Sequence, residues 1–128
     1  SLVYYDKNTI VLTMPYWVKV TNSSVEDSEV KKHSFVLSYD PDIKATDTKL
    51  KLYISHVVDD AEGETVTRSN TYAYRAYSIR TALEAFKTAT SGKLPKYLEL
   101  TAETNNSKDE LKEANGETSV EYDYAFTE

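Results

Sequence analysis

The sequence predicts an all-β fold: an antiparallel β-sandwich of about six or seven strands, with one short helix at about residues 80–89. Three observations carry this. Apolar and polar residues alternate with a period of two through most of the chain, most plainly from Lys49 to Val58. There Leu50, Leu52, Ile54 and Val58 share one face, and Lys49, Lys51 and Ser55 share the other. Eleven tyrosines against three glycines and three prolines favour pleated, half-buried positions, where the ring packs and the hydroxyl reaches a polar partner. Helical spacing occurs in one place, with no βαβ rhythm around it.

The first predicted strand runs from Thr9 to Thr21, with Ile10, Leu12, Met14, Tyr16, Val18 and Val20 on one parity and Val11, Thr13, Trp17 and Lys19 on the other. Pro15 interrupts it, which suits an edge, a bulge or a change of sheet. Residues 22–31 are polar and unpatterned, an exposed loop. Lys32 to Tyr39 is the second strand, with His33, Phe35, Leu37 and Tyr39 on one face. Asp40-Pro41-Asp42 stops it, since proline fixes φ and aspartate bonds its own backbone in turns.

The strand Lys49 to Val58 follows and ends in the acidic turn Asp59-Asp60-Ala61-Glu62-Gly63-Glu64. Asn70 to Ile79 is a strand dense in aromatics: Tyr72 and Tyr74 share one face, and Arg75, Tyr77 and Ile79 the other. From Arg80 to Ala89 the period changes, and Ala82, Leu83 and Phe86 recur at helical spacing before Ser91-Gly92. So short a helix is not stable alone and must lie against the sandwich. Lys96 to Thr104 places Leu98, Leu100 and Ala102 inward and Tyr97, Glu99 and Thr101 outward. Residues 105–117 read as a charged loop, and Thr118 to Thr127 is the closing strand. Neither a repeat nor a linker is visible, so residues 1–128 read as a single domain.

A chain of this length buries roughly 65–70% of its unfolded surface and folds without staples. That suits a sequence with no cysteine, which excludes disulfides, thiolate metal sites and a cysteine nucleophile. A net charge of −6 opposes the phosphate backbone, so nucleic acid is not an expected partner. No apolar run approaches the ~20 residues that cross a bilayer.

His33 and His56 form the most interesting chemical pair. Alternation puts both on the dry faces of strands that an antiparallel pairing across Pro41 would bring together. With Asp59 or Asp60 they could supply nitrogen and carboxylate ligands to a zinc-type ion. The simpler alternative is two half-buried rim histidines, and no HxH or HExxH spacing argues against it. Asp59, Asp60, Glu62 and Glu64 lack EF-hand spacing and read as a solvated acidic turn. No GxSxG is present to hold a serine nucleophile. A binding reading rests on Tyr53, Tyr97, Trp17 and Tyr77, which as outward aromatics would make a platform for sugar rings. The competing reading is ordinary cross-strand packing.

The order Asn8-Thr9-Ile10-Val11-Leu12, Tyr16-Trp17-Val18, His33-Ser34-Phe35-Val36-Leu37, Leu50-Lys51-Leu52-Tyr53-Ile54-Ser55-His56 and Tyr77-Ser78-Ile79 resembles the C-terminal β-sandwich domain of NigD-like proteins. The resemblance spans nearly the whole chain. It implies an exported protein of the Bacteroidetes, lipid-anchored through an N-terminal cysteine, with a small OB-like domain before the sandwich. Neither that cysteine nor that domain is in this sequence, so the chain is expected to be an excised C-terminal domain. The family implies no catalytic residues and no cofactor. The expected function is therefore a non-enzymatic module of the cell envelope that binds or assembles with another envelope protein. The alternative is a carbohydrate-binding module that uses the outward aromatics.

Overall fold

The alternating segments pair into two sheets in the computed structural model, which describes residues 1–21, 24–25, 33–58, 68–104 and 116–126. The strands are β1 (Leu2–Asp6), β2 (Thr9–Thr21), the two-residue β3 (Ser24–Val25), β4 (His33–Tyr39), β5 (Lys49–Val58), β6 (Arg68–Ser78), β7 (Tyr97–Thr104) and β8 (Gly116–Asp123). A helix, α1 (Arg80–Ala89), joins β6 to β7. In the first sheet β2 pairs with β1, β3 and β6, while the second has the order β4-β5-β7-β8. The acidic turn at 59–64 and residues 105–115 of the predicted loop lie outside the described residues. Gly116 and Glu117, expected in that loop, belong to β8.

The predicted all-β sandwich with one helix is what forms, and one pairing departs from the antiparallel expectation. β5 and β7 run parallel, Leu50 opposite Leu98 and Leu52 opposite Leu100. Between them the chain leaves for β6 in the first sheet and returns through α1 to the second, and that excursion leaves β7 pointing the same way as β5.

Inward residues of both sheets supply the core: Ile10, Leu12, Met14 and Tyr16 from β2, Leu50, Leu52 and Ile54 from β5, and Leu98 and Leu100 from β7. Each such side chain stabilises the fold by roughly 1.5–3 kcal/mol through burial. Ala82, Leu83 and Phe86 of α1 add to the same core. Pro15 fits because of where its backbone points. Thr13 exchanges both backbone bonds with Ser1, so two residues on the missing N–H of Pro15 faces away from β6 and costs that ladder nothing.

Three inward tyrosines fasten separate parts of the sandwich with their hydroxyls. Tyr4 of β1 donates to the Asp123 carbonyl at 2.6 Å and Tyr77 of β6 to the Phe35 carbonyl at 2.8 Å, both crossing between sheets. Tyr124, just past β8, donates to the Lys7 carbonyl at 2.6 Å.

Candidate binding surface

On the outer face of the β1-β2-β6 sheet, register places Val3, Val11 and Ala76 in one row, Thr13 beside Tyr74 in the next, and Pro15 beside Tyr72 beyond it. Inward Ala73 forces Tyr72 and Tyr74 outward, because neighbours in a strand point to opposite faces. Both rings stand in solvent, 60% and 66% exposed, with Val3 at 62% and Tyr5 at 78%. Arg75 caps the backbone beside them, its Nη1 donating to the Tyr74 carbonyl at 3.0 Å. That carbonyl points to the side of β6 away from β2, and a charged cap there discourages indiscriminate strand addition.

The aromatic residues singled out from sequence are placed differently from one another. Tyr53 and Tyr97 share the outer face of the second sheet, but Tyr97 lies opposite Lys49, four residues before Tyr53, so they stand roughly 13 Å apart along the strands. The row Lys51-Glu99-Glu121 separates them. Alongside, Lys49 pairs with Glu121 at 2.6 Å and Glu99 at 3.8 Å. Those carboxylates, Glu121 foremost through its hydrogen bond, hold the Lys49 ammonium above its ordinary range. Tyr77, expected outward, is instead on the inner side, with its hydroxyl on Phe35. Its partner Ile10 is a core residue, so the register of β2 with β6 decides its face. Trp17 lies opposite Asn70, and its side chain is outside the described residues. The exposed pair Tyr72 and Tyr74 was legible as a shared face in the sequence, but not as the wet one.

The histidines meet at the backbone level. β4 and β5 put His33 opposite Val58 and Phe35 opposite His56, one inward row apart. His56 is 5% exposed. Its ring stacks on Phe35 at 4.5 Å between centroids, and Tyr16 meets it edge-on at 5.7 Å. Burial in this aromatic cluster pulls the imidazole down to about 4, so it is neutral at pH 7. The side chain of His33 and the whole of Asp59 lie outside the described residues, among which no group of three or more His, Cys, Asp or Glu is placed to hold a metal ion. Nor is any described helix long and apolar enough to cross a membrane.

No protein-family model matches the chain, and neither does any curated protein. Among solved structures, the chain is similar to that of a protein named "Putative lipoprotein" from Bacteroides fragilis. The two are 32% identical with a TM-score of 0.77, over 97% of this chain and 56% of that one. The sandwich is therefore a fold shared with that protein, and this chain spans little more than half of its length.

Proposed function

We propose that this chain is a β-sandwich module of an envelope lipoprotein, NigD-like in kind, that works without catalysis by holding a protein partner against the outer face of β1, β2 and β6. The similarity to the Bacteroides fragilis protein supports the envelope assignment. The binding assignment rests on one observation: Tyr72 and Tyr74 stand side by side in solvent on a sheet face that also exposes Val3 and Tyr5. Aromatic rings at this exposure supply large, rigid contact area, and contiguous apolar surface of this kind marks interaction sites.

A photo-crosslinking amino acid at position 74, in the protein expressed in its native envelope, is expected to capture a discrete protein. Purified, that protein should bind the parent at least about tenfold more tightly than the Tyr72→Ser/Tyr74→Ser variant. Equal affinity for both would remove this face from the function. The same ring pair favours one second reading, stacking of a glycan. Retardation of the parent but not the double variant in polysaccharide gels would replace the protein partner by a sugar.

A further inference from the structure

The turn between β1 and β2, the outer side of α1 and the turn after β8 enclose a cleft of about 590 Å3 at one end of the sandwich, within the usual size range of small-molecule sites. Among the described residues Lys7, Arg80 and Lys87 line it with the carboxylate of Glu84, and that of Asp6 stands behind the rim, accepting from the Asn8 amide at 2.8 Å. In a chain of net charge −6 this is a local reversal of sign. Arg80 holds Glu84 through Nε and Oε1 at 3.2 Å, whereas Lys7 and Lys87 make no ion pair with any described residue.

The rim is fixed by the fold. Tyr124 donates to the Lys7 carbonyl at 2.6 Å, and the carbonyl of Asn8, which also lines the cleft, accepts from the Ile79 amide at 2.7 Å. Phe126 is braced edge-on by Tyr4 at 5.7 Å and still exposes 41% of its surface. The other apolar lining is slight, since Leu83 and Tyr124 are almost wholly covered and only Leu94 is half open. One ring face and one leucine match the apolar side of a single sugar ring and fall short of an acyl chain.

We propose that this cleft binds an acidic saccharide unit, its carboxylate or sulfate held by Lys7 and Lys87, its ring against Phe126 and its hydroxyls on Asn8 and Glu84. The site is separate from the tyrosine face. Tyr74 lies opposite Thr13, four residues into β2 from Thr9, and Lys7 stands in the turn before that strand, so roughly 13 Å of strand separates the two sites. Amide chemical-shift titrations with digalacturonate, a sulfated chondroitin disaccharide and neutral galactobiose test it.

Shifts at Lys7, Asn8 and Phe126, with a Kd at or below about 1 mM for at least one acid, are expected. Galactobiose should bind at least about tenfold more weakly, and added salt should weaken the acid. Digalacturonate carries carboxylates alone and the chondroitin unit a carboxylate and a sulfate, so binding of both points to carboxylate recognition and binding of the second alone to a need for the sulfate. Lys7→Gln/Lys87→Gln, exposed changes that leave the parent spectrum otherwise intact, should lower affinity at least about tenfold, and Tyr72→Ser/Tyr74→Ser should not alter it. No shifts up to about 10 mM of either acid, equal binding of galactobiose, or undiminished binding by the lysine variant would overturn the proposal. A protein partner lost with the tyrosine variant leaves it standing.

Discussion

His56 carries a charge penalty that the unfolded chain does not. In the core its imidazole is held down to about 4 by burial, while an unfolded histidine titrates near its ordinary 6.5. Above 6.5 both states are neutral and the group contributes nothing to the pH slope. Between 6.5 and 4 the unfolded chain takes up a proton that the folded one refuses, so stability falls as pH falls. The loss is on the order of 3 kcal/mol once pH is below both values. His56→Gln removes this titration and keeps a hydrogen-bonding side chain. Denaturant unfolding at pH 7 and pH 4.5 is expected to show a smaller gap for the variant than for the parent, the remaining slope belonging to the other titratable groups of the chain. An unchanged gap would mean that the imidazole is protonated within the fold.

At the scale of elements, the end of α1 shows how a local choice is enforced. The Gly92 amide reaches back to the Lys87 carbonyl at 2.7 Å, and its φ of 91° lies where a β-carbon is strained. An added methyl would meet nothing within 4 Å, so the cost of Gly92→Ala is conformational alone, about 1 kcal/mol. Urea unfolding should give a lower midpoint with an unchanged m-value. Ser91-Gly92 was legible as the stop because glycine tolerates the positive φ that follows the helix, although Ser91 itself takes the left-handed position beside Thr90, with φ 59°. β5 and α1 were legible because each has one wet and one dry side, which imprints a period. β1 was not, because Leu2-Val3-Tyr4-Tyr5 is an unbroken apolar run, in which Leu2 and Tyr4 pack inward while Val3 and Tyr5 stand in solvent. The parallel partnership of β5 and β7 left no trace either, since alternation fixes a residue's face and not its neighbour. The candidate surface suffered from the same blindness. Tyr72 and Tyr77 are both tyrosines in one strand, and only the pairing with β2 settles which of them meets water.

For the molecule as a whole, the tyrosine hydroxyls make its integrity depend on alkaline pH. Tyr4 joins β1 to the end of β8, Tyr77 joins β6 to β4, and Tyr124 fastens the turn between β1 and β2. In each bond the hydroxyl is the donor, so ionisation both breaks the link and puts a charge against a carbonyl oxygen. Burial, foremost, pushes Tyr4 up to about 12 and raises Tyr77 and Tyr124 above their ordinary 10.0. With folded values above unfolded ones, the contribution is fully present below pH 10. It is lost as pH climbs from 10 towards 12, because the unfolded chain gives up protons that the folded chain retains. Alkaline unfolding followed by circular dichroism should therefore coincide with a cooperative rise in tyrosinate absorbance. Tyr4→Phe leaves the Asp123 carbonyl without this donor and is expected to cost about 1–2 kcal/mol at pH 7. Because the variant has one fewer group to ionise, its stability should decline less between pH 9 and pH 12 than the parent's. A parallel decline in both proteins would show that the bond across the two sheets does not govern the alkaline limit.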